Sequence, residues 1–320
     1  MEPLVTIGIP TFNRLSYLKE AVESSLAQTY PNIEILIGDD GSNSKLRQWC
    51  QQQVLRNPKI RYQRNAHTVG LAGNWNALLA AATGNFIVII GDDDRLLPEF
   101  VARCVNALSP DTSLIFSDHY IIDDAGRRLA RETDLSSAKY GRNDLRPGIV
   151  TDAEACAWRN NIPISASLFN TDAGRRLRFK EDLNNPEIEL FIRLAREGQN
   201  FVYLAERLVE YRTHAASATA SEGLRSDVLI DYLIPVDVRP EIEDLKRQLI
   251  DQLIVNAVSR SLLAGNRPRA ARLLASDYYP RNQGIDVTRL TQMLATSVPF
   301  VGSLVYRALL RLKKVLVDDT

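Results

Sequence analysis

Phe86-Ile87-Val88-Ile89-Ile90-Gly91-Asp92-Asp93-Asp94 is the stretch on which the reading of this chain turns. Five consecutive apolar residues, four of them β-branched, predict a strand buried on both faces, as inside a parallel sheet. The run stops at a glycine, and three adjacent carboxylates follow. Like charges gathered at one sheet edge repel unless a cation or hydrogen-bond donors sit among them. Mg2+ or Mn2+ takes carboxylate oxygens and completes its shell with substrate phosphates, so a metal holding a diphosphate is the guest this pattern suggests. The alternative is an acidic loop that only caps a helix beginning near Pro98.

Outward from that stretch, strand and helix alternate. Short β-rich runs at 5–9, 33–37, 60–62 and 114–116 are separated by helical periodicity over 15–26, 44–54, 72–82 and 98–108. Such alternation predicts an α/β protein whose sheet is mostly parallel. Ligands of open α/β sheets bind beyond the carboxyl ends of the strands. Three polar clusters stand at such ends: 10–14, 39–42 and 91–94. In the first, Phe12 offers a flat face for a base, Thr11 and Asn13 offer donors and acceptors, and Arg14 suits a phosphate. Asn13 or Ser16 as a plain helix cap is the competing reading. In the second, a carboxylate can accept the imide N–H of uracil, or Asp40-Gly41 can be a simple turn. Together the clusters read as base, ribose and diphosphate subsites.

After about residue 118 the pattern changes. Residues 120–150, rich in Asp, Arg, Gly and Ser, suggest a hairpin near Asp124-Ala125-Gly126 and then a long loop. A strand over 164–169, a helix over 186–197 and paired strands at 201–204 and 208–211 are expected next. From about 222 the chain reads as helical over 224–234, 241–264, 267–275 and 297–315, with Pro235, Pro240, Gly265 and Pro280 as breaks.

Composition narrows the function classes. Lys plus Arg equals Asp plus Glu at 39 each, which leaves no global field for nucleic acid. Three scattered cysteines argue for a reducing, cytoplasmic setting. No secretory leader pattern opens the sequence, and no run of about 18 apolar residues predicts a spanning helix. Residues 298–315 interleave Phe300, Val301, Leu304, Val305, Leu309 and Leu312 with Arg307, Arg311, Lys313 and Lys314. Such a basic amphipathic helix either makes peripheral contact with the inner face of a membrane or packs on the rest of the protein.

Val5-Thr6-Ile7-Gly8-Ile9-Pro10-Thr11-Phe12-Asn13-Arg14, then Ser25-Leu26-Ala27-Gln28-Thr29-Tyr30-Pro31, then Gly38-Asp39-Asp40-Gly41-Ser42 resemble, in that order, the opening of family 2 glycosyltransferases. Gly70 to Asn74, Asn76, Gly84 and the Asp92-Asp93 pair continue the resemblance, which covers about residues 4–215. It implies the GT-A fold, a Rossmann-like mixed and mostly parallel sheet flanked by helices. A GT-A catalytic domain would then occupy 1–220, with a donor half at about 1–118 and an acceptor half at about 119–220. Residues 221–320 would be a helical C-terminal extension. It further implies a nucleotide-diphosphate sugar donor, a divalent metal (Mg2+ or Mn2+), and inverting transfer to a saccharide or lipid-linked acceptor in polysaccharide or glycolipid assembly.

Carried over by position, the resemblance implies that Phe12 stacks on the base and Asp40 reads it, which favours a UDP-linked donor. Pro10, Thr11, Asn13, Arg14, Gly70 and Asn74 join the donor site, Asp92 meets the ribose, and Asp93 holds the metal. Asp94 is left as a cap for the next helix. His214, in Tyr211-Arg212-Thr213-His214, matches a position near the metal or diphosphate, with Arg212 or Ser217 on phosphate. Two departures stand out. Many members carry Asp where this chain has Gly91, and Arg where it has Trp75, which leaves a phosphate contact to Arg64 or Arg14.

Inverting transfer needs a carboxylate that takes the acceptor's proton. Counting back from Arg193 in Pro186-Glu187-Ile188-Glu189-Leu190-Phe191-Ile192-Arg193 matches Glu187 to the family's base, with Glu189 or Asp182 next. An ordinary helix start, with Asn185 as cap and acidic residues in the first turn, explains the same residues. Asn160, Asn161, Ser165 and Trp158 fall on the expected acceptor side. Two rival functions remain. A nucleotidyltransferase should show a Gly-rich basic loop after its first strand, and 10–14 has no glycine. The other is a nucleotide-sugar-binding protein without transfer activity.

Overall fold

The computed structural model describes residues 2–214, 226–280 and 287–297. Two units divide the chain, Met1–Gly223 and Leu224–Thr320. Within the first, the apolar run at 86–90 forms β4 (Phe86–Ile89), and Ile87, Val88, Ile89 and Ile90 are each fully buried. Its neighbours are β1 (Val5–Thr11) on one side and β8 (Ser167–Asn170) on the other. With β2 (Ile33–Asp39), β3 (Ile60–Arg64), β5 (Arg95–Leu96), β6 (Thr112–Ile122) and β9 (Asn200–Arg212), the sheet runs β3-β2-β1-β4-β8-β6-β9-β5. A short β7 (Gly148–Ile149) pairs with β9. β8 is antiparallel to both β4 and β6, so β6 and β9 again point the way β1 to β4 do. Among the described residues, six of the nine strands therefore deliver their carboxyl ends to one edge.

Helices cover the sheet because their apolar residues recur on one stripe. α1 (Leu15–Leu26) buries Leu18, Ala21 and Val22, and α2 (Ser44–Arg56) buries Leu46 and Cys50. Both stripes join Val5, Ile7, Ile9, Ile35 and Ile37 in one apolar cluster. α3 (Gly70–Ala81) packs on β1 and β2, and α4 (Phe100–Asn106) follows β5. The rest of this unit adds α5 (Ala130–Lys139), α6 (Ala153–Trp158), α7 (Thr171–Leu177) and α8 (Pro186–Ala195).

Several expectations are corrected. The long loop expected over 120–150 contains α5, whose buried side chains are Thr133 and Ser137 rather than apolar residues. The two strands expected at 201–204 and 208–211 are one strand, β9, parallel to β6 along a register that shifts between Ser117 and His119. The strand expected at 164–169 begins as a short 3-10 turn at Ile164–Ala166 and pairs only from Ser167. Asp94 is followed by β5 rather than a helix, and it caps nothing.

The second unit is helical: α9 (Ser226–Leu233), α10 (Pro240–Leu263), α11 (Arg267–Ala275) and α12 (Val287–Ser297). Ile242, Ile250, Ile254, Ala257 and Val258 bury one stripe of α10. The ammonium of Lys246, also buried, donates to the carbonyls of Ile234 at 2.8 Å and Val236 at 2.7 Å, just past the end of α9. The basic segment at 298–315 lies outside the described residues. No helix among the described residues is long and apolar enough to cross a membrane.

Candidate active site

β1 ends at Thr11, whose hydroxyl donates to Asp92 Oδ2 at 2.7 Å, and the Phe12 amide lies 3.4 Å from the same oxygen. Asp92 is thus fixed by the strand next to its own. Burial pushes its carboxyl up to about 6, against the opposing effect of nearby Arg14. Asp93 faces the opening. Its Oδ2 accepts from Arg14 Nη1 at 2.6 Å and meets His214 Nε2 at 3.0 Å. Arg14 Nε also stands 3.6 Å from Asp92 Oδ1, so one guanidinium spans both carboxylates.

Asp94, expected as a helix cap, is an internal anchor. It accepts from Ser165 Oγ at 2.6 Å and from the Arg212 amide at 2.9 Å, and burial together with Asp93 pushes its carboxyl well up. Ser165 is therefore committed to this loop rather than to the acceptor side. Arg212 is likewise not a phosphate ligand. It is buried, and its guanidinium donates to the carbonyls of Asp93 (2.7 Å), Asp123 (3.2 Å) and Asp124 (2.9 Å) and to Glu20 Oε2 (2.6 Å). Tyr17 completes the packing, 5.1 Å from the His214 ring and 4.8 Å from the Arg212 guanidinium. Tyr17 and Glu20 escaped the sequence reading. Their spacing of three on α1 puts them on one helix face, a signal available once the site was known to lie at that helix's start.

At Gly91, where the resemblance places Asp in many members, a side chain needs the neighbouring carboxylates to shift. A Cβ there would meet Asp93 Oδ1 at 2.7 Å and Asp94 Oδ2 at 3.1 Å. A carboxylate at this position would also add a fourth carboxyl group to three.

The loops after β1, β2 and β3 form a second, connected network. Asn13, in the left-handed region at φ 62°, turns its Oδ1 to accept the amides of Ser42 and Asn43 at 3.0 and 2.9 Å. Asp40 Oδ1 accepts from Asn65 Nδ2 and the Val69 amide, and Oδ2 accepts from the Gly70 amide at 2.8 Å. A carboxylate there complements the start of α3, and Gly70, at φ +80°, makes the approach possible. Asn74 donates to the Gly38 carbonyl and Pro10 pairs with Gly38 across the strands, so both brace this loop. Phe12 is 50% exposed, its ring open to solvent. Trp75 is core, edge-on to Phe179 at 5.1 Å. Arg64 donates to the Gly41 carbonyl at 3.2 Å.

Glu187 stands apart from both networks, in the first turn of α8. Its Oε2 is shielded from solvent and has no hydrogen-bond partner. Burial pushes the carboxyl up to about 7, against its own backbone amide and Asn185. Glu189, the nearby alternative, is held by Arg193 through two bonds of 2.6 Å. Asp182 is exposed. Trp158 is core, Asn160 adopts φ 57°, and Asn161 donates to the Tyr140 carbonyl. His119 is buried against Tyr211 and held neutral by burial and Arg142, and His67 is exposed. Ser217 lies outside the described residues.

Among the described residues no set of three or more His, Cys, Asp or Glu side chains assembles a metal site. Asp93 and His214 converge on one point from two elements. Two protein ligands suit a Mg2+ or Mn2+ ion that draws the rest of its shell from phosphates and water, and the crowded carboxylates favour any cation.

The sheet order gives the first unit the GT-A fold, shared with solved glycosyltransferases. A mannosyltransferase from Pyrobaculum calidifontis, solved in complex with GDP-Man and Mn2+, aligns with a TM-score of 0.57 over 96% of this chain and 83% of that one, at 18% identity. TarS of S. aureus in complex with UDP-GlcNAc aligns at 0.62 over 85% and 79%, at 15% identity. Residues 6–164 match the model of glycosyl transferase family 2, and this part of the chain belongs to that family. In sequence it is 28% identical to the chondroitin synthase of Escherichia coli over 199 residues, 61% of this chain. It spans about a quarter of that relative's length, 27%.

Proposed function

We propose that the chain is a metal-dependent inverting glycosyltransferase that moves a sugar from a nucleotide-diphosphate sugar, UDP-linked, to the hydroxyl of a saccharide acceptor. The observation that carries this reading is the convergence of Arg14 and His214 on Asp93 Oδ2 beyond β4, together with the exposed ring of Phe12 at the end of β1. Phe12 stacks on the base. Asp40 Oδ2, with a single protein donor, keeps a lone pair for an imide N–H, which a uracil supplies. Asp92, set by Thr11, faces the ribose. Asp93 and His214 would hold the ion, which when bound neutralises charge on the departing diphosphate. Glu187 accepts the acceptor hydroxyl's proton as that oxygen bonds to the anomeric carbon. The bond from that carbon to the diphosphate breaks on the opposite face, and the nucleoside diphosphate leaves. The name of the E. coli relative, a chondroitin synthase, supports a saccharide acceptor.

Asp93→Ala protein is expected to lose transfer by about a hundred- to a thousandfold, the scale on which removing one preorganised electrostatic stabiliser acts. The measurement is sugar transfer from radiolabelled UDP-sugars with Mn2+ present. Wild-type turnover would overturn the metal role. A pH profile tests the base. With its carboxyl near 7, Glu187 is protonated and idle in acid, so kcat should rise tenfold per pH unit below about 7 and level off above it. A flat profile from pH 5.5 to 8.5 would remove Glu187 from that role.

A further inference from the structure

We propose that Arg14 is a counter-cation that occupies Asp93 until a nucleotide diphosphate draws it away, so that the nucleotide opens the metal site. The inference rests on the reading of Asp93 as metal ligand and adds a role for Arg14. Its Nη1 lies 2.6 Å from Asp93 Oδ2, the same oxygen that His214 approaches at 3.0 Å, and its Nε reaches toward Asp92 at 3.6 Å. His214 already faces that oxygen, so a divalent ion shared by Asp93 and His214 sits on the Oδ2 side of the carboxylate. It would then face a guanidinium at contact distance, and two cations so close repel strongly. Arg14 and the ion are therefore alternative occupants of one carboxylate.

Arg14 also has somewhere to go. It ends β1's loop at the start of α1, and its side chain is 29% exposed, against 15% for Asp93. A long stem with a planar fork suits phosphate oxygens better than a lone carboxylate edge. A diphosphate arriving beyond β4 brings negative charge to both cations at once. Arg14 exchanges carboxylate for phosphate, the ion takes the vacated oxygen, and the carboxylates stay neutralised throughout. Metal and nucleotide then bind with positive coupling, and the coupling is reciprocal. Part of it comes from phosphate oxygens on the metal, and the rest from the displaced arginine.

Mn2+ binding to the full-length protein, followed by electron paramagnetic resonance with and without UDP, tests this apart from turnover. Without nucleotide, Arg14→Ala should bind Mn2+ about tenfold tighter than wild type, the scale of one charge-assisted hydrogen bond. The factor by which UDP tightens Mn2+ binding should shrink by the same amount. Arg14→Gln, which keeps most of the stem and loses the charge, carries the same expectation should the alanine variant fold poorly. Arg14→Lys should resemble wild type more closely. If nucleotide-free Mn2+ affinity is unchanged in the Ala and Gln variants while Asp93→Asn loses its binding with UDP, the counter-cation role is overturned and the metal reading stands. If Asp93→Asn keeps full UDP-dependent Mn2+ binding, the metal reading falls and the proposal with it.

Discussion

Glu187→Gln protein should bind donor as tightly as wild type and transfer sugar about 10²–10⁴-fold more slowly, the range a general base contributes. The amide is close in shape and cannot take a proton. Glu187 touches neither the Asp93 cluster nor the loops after β1, β2 and β3, so donor KM should hold while kcat falls. Oε2 has no partner in its shielded position, so the neutral amide relieves a buried charge. The variant should melt no lower than wild type, which separates loss of chemistry from loss of fold. Initial rates with saturating UDP-sugar, together with a thermal melt, decide it. Wild-type turnover would move the base to another carboxylate.

Arg212→Ala should cost both stability and activity. The side chain is 1% exposed and serves four acceptors from three segments: the 93 loop, the turn at 123–124 and α1. Glu20 is partly open to water and can recover hydration, so most of the loss falls on three carbonyls. Stranding those groups costs about 3 kcal/mol or more, which for a unit of this size lowers Tm by roughly 6–12 °C. The Asp93 carbonyl is one of the three, so the loop carrying the proposed metal ligand loosens as well, and transfer should fall even below the new Tm. Lysine should restore little, since one ammonium cannot reach three segments. A variant that melts with wild type and transfers normally would show that the clamp is dispensable.

The strand ends were readable from sequence because each pairs a short apolar run with an abrupt polar cluster, and both halves of that signal are local. Arg212 was not, because its partners lie 88 to 192 positions away. Nothing near it in sequence distinguishes a clamp from a phosphate ligand. α5 was missed for a different reason. Its inward face carries Thr133, which accepts the Ile121 amide, and Ser137, which donates to Asp118, while Leu135 is 59% exposed. A helix docked through hydroxyls leaves no apolar period to find. Asp94 was misjudged because three adjacent Asp codes look alike on paper. Burial and neighbours give each a different task.

β9 was split in two because of the irregularity that makes it useful. Ser117 pairs with Leu204, Asp118 with Arg207 and His119 with Val209, so β9 accommodates three more residues than β6 over that stretch. With an unbroken ladder, Ile122 would stand beside Val209, and Arg212 would overshoot its acceptors by roughly 10 Å. An odd number of extra residues also reverses the alternation, which turns the side chains beyond it to the opposite face. The segment from Ala205 to Leu208 therefore sets length as well as contacts. Removing one residue there would leave the first half of β9 in its ladder and misalign Arg212 and His214 together. For anyone grafting loops onto this scaffold, the stretch is a spacer whose residue count must be kept.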